Sequence, residues 1–186
     1  MVEVSTTVLP GPVGPLAVAA TPRGIVAAGW QCTEDDLRAA LRPRLGAVTP
    51  AGRGSPAELR LAGAVPVLTA LLEGVPIAAD TVPVDLDDRP RFDQVVLAEV
   101  RRVGWGETAS YGEIARRVGL PRAARAVGGA LGRNPVAVLV PCHRVIASDG
   151  TLGGYGGDGP VERAVALERK RRLLAREGVT ARIGDG

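Results

Sequence analysis

Pro141-Cys142-His143-Arg144-Val145-Ile146 holds the only histidine among 186 residues and one of only two cysteines. A thiol next to an imidazole can make a nucleophile. The free thiol titrates near ~8.5, and a neighbouring base or cation raises its thiolate fraction. Adjacency is not contact, because consecutive side chains on an extended segment face opposite ways. The pair therefore needs a bend in the chain or a bridging water. The preceding run, residues 136–140 (Val-Ala-Val-Leu-Val), reads as a buried strand or extended segment that delivers the cysteine. An inert buried cysteine beside a polar histidine has the same local text. The flanking sequence has to decide.

Upstream, residues 92–103 carry apolar side chains at helical spacing (Phe92, Val95, Val96, Val100, Val103) and stop at Gly104. Ser110 and Glu113 have capping-box spacing and open a helix that Gly119 and Pro121 close by about residue 118. A second helix is expected from Arg122 to about Arg133. The two read as a helix-turn-helix, or as an ordinary helical hairpin with solvated arginines. Small residues on the second helix let it lie close to a groove, where its arginines reach phosphates or bases. Downstream, glycines 153, 154, 156 and 157 around Tyr155 suggest backbone that approaches a ligand closely; a flexible linker is the alternative. A last helix is expected over residues 160–177.

The first half has a different texture. Residues 4–9, 16–20 and 25–30 read as strands separated by Gly/Pro turns. Residues 34–41 read as a short helix capped by Thr33, and 42–55 as a loop. Ser55-Pro56 opens a helix that runs to Glu73 and ends at Gly74. The expected fold class is α/β (α+β). A small N-terminal sheet-and-helix domain (1–88) is followed by a mainly helical C-terminal domain (89–186) with a helix-turn-helix and an active-site loop.

Composition narrows the classes. Apolar residues make up 46% and charged residues 23%, which fits a globular rather than a disordered chain. Aromatics are only 3%, so the core must be built from Val, Leu and Ala. The longest apolar stretch, residues 61–79, is broken by Pro66, Glu73, Gly74 and Pro76, so no membrane span is expected. Two cysteines and no basic leader point to a reducing, cytoplasmic setting. Cys32, Cys142 and His143 are too few for a Cys/His zinc site, so neither a metal nor a cofactor is expected. The charge of +3 is uneven. Residues 1–90 hold seven arginines against ten carboxylates, whereas residues 91–186 hold sixteen cations against ten. A basic half that also carries the reactive pair points to a polyanionic partner, although an arginine-rich solvated surface gives the same charge.

Together, Gly106-Glu107-Thr108, Ser110-Tyr111-Gly112-Glu113-Ile114-Ala115, Ala123-Ala124-Arg125-Ala126-Val127-Gly128, Asn134-Pro135, the Pro141–Ile146 stretch, Gly154-Tyr155-Gly156-Gly157 and Leu173-Leu174-Ala175-Arg176-Glu177 carry a family likeness. In these segments the chain resembles the O6-alkylguanine-DNA alkyltransferases, over about residues 92–157 and 170–177. The resemblance implies single-turnover DNA repair: a flipped O6-alkylguanine, or an O4-alkylthymine, gives its alkyl group irreversibly to Cys142. It implies a relay from Glu177 through His143 and a water to Cys142, with Tyr111 as proton donor to the base and Asn134 tying the recognition helix to the active-site segment. Arg125 would enter the duplex, with Arg122, Ala126, Gly128, Tyr111 and Ser110 on the DNA surface. Val145, Tyr155, Gly156, Gly157 and Lys170 would form the substrate pocket. The implied partner is double-stranded DNA bound through the minor groove by a monomer. There are departures from the family pattern. Gly156 stands where a hydroxyl residue is usual, leaving a backbone N–H for guanine O6, and Tyr155 to Lys170 is roughly eight residues longer than usual. That insertion, within 158–169, either decorates the surface or reshapes the pocket rim. Three other readings stay open: a non-catalytic lesion binder, a Cys-His hydrolase or acyltransferase, and a transcription factor.

Overall fold

The structure, a computed structural model, describes residues 1–156 and 162–180. Gly157 and the start of the insertion, residues 158–161, lie outside the described residues. The chain forms two compact units. One comprises Met1–Arg89 with Pro135–Leu139, the other Pro90–Asn134 with the chain from Val140 onward. A contiguous division after residue 88 does not include the short segment that returns to the first unit.

In the first unit, β1 (Val2–Leu9), β2 (Leu16–Thr21), β3 (Gly24–Trp30) and β4 (Val48–Pro50) form one sheet in the order β3-β2-β1-β4. Neighbours are antiparallel except β1 and β4, which run parallel. All six residues of β2 are buried, so both faces of the sheet are covered. Ala17 and Ala19 pack with Leu37 and Leu41 of α1 (Glu34–Leu45). Alternation turns Leu16, Val18 and Ala20 to the other face, and α2 (Pro56–Glu73) also packs against β2. The caps are those expected: Thr33 accepts from Asp36 N–H and Ser55 from Glu58 N–H. Two expectations are corrected. The first helix runs past Pro43 to Leu45, and the supposed loop contains β4.

Residues 136–140 are not a regular strand. Ala28 N–H donates to Pro135 O (2.7 Å) and Ala137 N–H to Ala28 O (3.2 Å), a single bridge at the sheet edge. Val138 then adopts φ of +73°, which a β-branched residue rarely tolerates and which breaks any strand pattern.

The second unit is helical: α3 (Arg91–Val100), α4 (Tyr111–Arg117), α5 (Ala124–Gly132) and α6 (Arg163–Arg176). The capping box at Ser110 and Glu113 is formed in both directions. α5 begins two residues later than expected, which leaves Arg122 in the turn before it. A two-residue parallel ladder joins β5 (Ala109–Ser110) to β6 (Val145–Ile146), so the entry to α4 is fixed beside the exit from the Cys-His turn. Asp93 on α3 is 1% exposed and takes two 2.8 Å hydrogen bonds from Arg133, which anchors the end of α5. Among the described residues, no helix is long and apolar enough to cross a membrane.

Candidate active site

The Cys-His segment is a single 3-10 turn, Cys142–Arg144, not an extended strand. The turn sends the neighbouring side chains to different partners. Cys142 is half-buried and lines a cavity of about 1080 Å³ in the second unit. His143 is buried behind it, with its Nε2 2.8 Å from Glu177 Oε1. Burial works against ionisation of Glu177, yet hydrogen bonds from His143 and Arg144 bring its pKa down to about 2. Glu177 is therefore an acceptor only, which places the imidazole proton on Nε2. Nδ1 keeps its lone pair, and it is buried with no hydrogen-bond partner among the described residues.

Arg144 completes this cluster, and the sequence reading assigned it no role. Its Nε donates to Glu177 Oε2 (2.8 Å), its Nη2 to Oε1 (3.0 Å) and its Nη1 to Val103 O (2.7 Å). The guanidinium also sits 5.7 Å from the Trp105 ring centroid. Nothing in the local text says which of twenty carboxylates an arginine will meet. Its place beside His143, on a turn that faces both side chains inward, was the one available signal.

Burial pushes the Cys142 thiol up and the His143 imidazole down. Asn134 and the Lys170 ammonium act against the thiol's rise, and Glu177 against the fall of His143. The resting pair is thus a neutral thiol beside a neutral imidazole, and a thiolate forms only as its proton leaves. Asn134, just beyond α5, donates its Nδ2–H to Val140 O (2.9 Å), two residues before the cysteine.

The opposite wall is Tyr111, whose hydroxyl donates to Gly154 O (3.2 Å) and accepts from Gly154 N–H (3.3 Å). Burial raises its pKa, which keeps the phenol protonated. Gly153 is held at φ +68°, and a Cβ there would meet the Tyr111 ring at 3.0 Å, so any other residue would be strained and would press on the ring. Gly128 on α5 faces the other side of the same ring, where a Cβ would reach 3.7 Å. Gly156, Tyr155 and Arg125 also line the cavity, whereas Val145 and Lys170 are fully buried and do not. Lys170 instead donates to the carbonyls of Val145 (2.5 Å), Leu152 (2.6 Å) and Gly154 (3.0 Å). It holds the pocket wall from behind, and its desolvation lowers its pKa to about 8. Ser110, which also borders the cavity, spends its hydroxyl on Glu113 N–H; Arg122 and Ala126 are exposed and lie outside the lining. Among the described residues, no cluster of His, Cys, Asp or Glu has the makings of a metal site.

Comparison with known proteins places the chain among its relatives. The family described as 6-O-methylguanine DNA methyltransferase, DNA binding domain, matches residues 91–179. The crystal structure of the Mycobacterium tuberculosis O6-methylguanine methyltransferase superposes with a TM-score of 0.69 at 37% identity, covering 95% of this chain and 93% of that one. The chain belongs to the O6-methylguanine-DNA methyltransferase family. A second structure of the M. tuberculosis protein, solved in complex with DNA, is 35% identical, with a TM-score of 0.70 over 94% of this chain and 92% of that one. Two relatives named methylated-DNA–protein-cysteine methyltransferase are each 47% identical. The one from Mycolicibacterium paratuberculosis aligns over 62% of this chain and 64% of its own length. The mouse protein aligns over 59% of this chain and 48% of its own. The aligned part thus spans between about half and two thirds of these family members.

Proposed function

We propose that this protein repairs DNA by taking the alkyl group of O6-alkylguanine, and of O4-alkylthymine, onto Cys142 in one irreversible turnover. The observation that carries the reading is the junction of two features in one unit. Cys142 opens into a cavity backed by the His143–Glu177 pair, and α4 and α5 of the helix-turn-helix border that cavity with arginines and no carboxylate. A thiol nucleophile alone fits many reactions; a thiol at the floor of a cationic groove fits a polyanion.

The chemistry balances with these groups. The thiol proton passes through a water to His143 Nδ1, while Glu177 and Arg144 hold the ring in the tautomer that can accept it. The Cys142 sulfur then attacks the alkyl carbon: the C–S bond forms, the C–O6 bond breaks, and the electron pair goes to the purine. Tyr111, protonated at rest, supplies a proton to the leaving base, and solvent restores the tyrosine and the imidazole. The thioether has no route back, so each molecule acts once.

A base inside a stacked duplex cannot reach this thiol, so the lesion has to flip out, with Arg125 filling the space it leaves. Small residues on α5, Ala126 and Gly128 among them, suit a close approach in the minor groove and a search that ignores sequence. A single chain contains every group used, as a monomer requires. A transcription factor would want several polar base-reading side chains on that helix, and Ala126, Gly128, Gly129 and Ala130 offer none.

Intact-mass measurement after incubation with a duplex containing O6-methylguanine tests the proposal. One methyl group on the protein, mapped to Cys142, with guanine restored in the DNA, is the expected result. An unmodified protein bound to intact lesion would make it a lesion binder, and turnover on esters would favour the hydrolase reading.

A further inference from the structure

We infer that Arg163, at the first turn of α6, is a DNA-binding residue that contacts a phosphodiester oxygen beside the extruded nucleotide. The inference rests on the alkyl-transfer reading above and adds a residue that the family likeness does not supply, because Arg163 lies inside the insertion.

The argument starts from one stripe of α6. Glu177, just past the helix end, pairs with His143, and Lys170 holds the pocket carbonyls. Seven residues make about two helical turns, so positions 163, 170 and 177 share a face. Ala166 on that face is 3.4 Å from where a Gly156 Cβ would stand, which sets the first turn against the glycine segment of the pocket wall. Arg163 lines the same cavity as Cys142. The helix rise places it ~10 Å from Lys170 along the axis, and its exposure puts it on the solvent side of the cavity.

The cavity lining contains four arginines, Arg116, Arg125, Arg133 and Arg163, and no Asp or Glu. Arg133 is committed to Asp93. Arg163 is exposed and forms no salt bridge among the described residues. An unpaired guanidinium at the mouth of a pocket whose floor takes the base meets the sugar-phosphate that must follow that base. An anionic substituent on the lesion has the same chemistry, but it would lie beside the thiol at the floor.

The test compares Arg163→Ala and Arg163→Lys with the natural protein on three substrates: duplex O6-methylguanine, duplex O6-carboxymethylguanine and free O6-benzylguanine. Arg163→Ala should slow transfer from both duplexes by about tenfold and leave the free base within about twofold. Duplex binding, measured in a Cys142→Ser background, should lose about one counterion from its salt dependence, and Arg163→Lys should restore it. Equal slowing on the free base would make Arg163 part of the pocket architecture. Slowing confined to the carboxymethyl lesion would move the anion onto the substrate. No change anywhere would leave the guanidinium solvated. Any of the three overturns the inference. If the natural protein gains no methyl group, the alkyl-transfer reading fails by itself, and the salt titration still decides whether Arg163 contacts phosphate.

Discussion

Glu177→Gln keeps the shape of the side chain and removes its charge. In the folded protein Glu177 titrates at about 2, against 4.5 for an ordinary glutamate. A depression of that size corresponds to on the order of 3 kcal/mol of stability at neutral pH. The sign follows from the depressed value. The contribution is complete above the unfolded pKa and is lost as pH falls from about 4.5 toward 2. Urea unfolding of both proteins between pH 7 and pH 3 measures it. The natural protein should lose stability steeply below pH 4.5, whereas Glu177→Gln should start lower and fall less over the same window. Its Arg144 is left charged and short of a partner at a side chain only 10% exposed, which adds to the loss at neutral pH. Alkyl transfer should also slow, because an amide no longer fixes the imidazole proton on Nε2. Parallel pH profiles for the two proteins would refute the role given to the carboxylate.

Other substitutions probe the remaining parts. Cys142→Ser should abolish transfer and keep duplex binding, because an alcohol ionises far less readily; Cys32→Ser should be silent, and an adduct mapped to Cys32 would sink the assignment. Arg125→Ala should slow repair of duplex DNA more than reaction with free O6-benzylguanine, since only the duplex requires extrusion; equal losses would give Arg125 another role. Lys170→Met strands the two buried carbonyls of Val145 and Leu152 and should cost on the order of 2–4 kcal/mol in thermal or urea unfolding. The same change removes a cation that favours the thiolate, so the pH of half-maximal transfer should rise; a loss under about 1 kcal/mol would show that water replaces the ammonium.

The parts legible in the sequence are those governed by near neighbours. Thr33, Ser55 and the Ser110–Glu113 box cap helices because each side chain reaches an N–H only three residues away. Gly/Pro turns separate the strands for the same local reason, and the motif text singled out Cys142, His143 and the Glu177 that the fold pairs with His143. What the tertiary structure decided depends on residues far apart in the chain. Arg144 meets Glu177 across 33 positions, and Lys170 reaches back 25 to Val145. Residues 136–140 have the apolar pattern of a strand, but among the described residues they pair with the sheet through one bridge at Ala28, 108 positions earlier, and then turn at Val138. Lys170 reads as a pocket cation in the sequence; in the fold it stands behind the wall, where it donates to the buried carbonyls of Val145 and Leu152 and shares Gly154 O with Tyr111. A capping hydrogen bond is set by backbone geometry within one turn. A buried charge settles wherever packing leaves an unmet partner, and that is known only once the whole unit has closed around it.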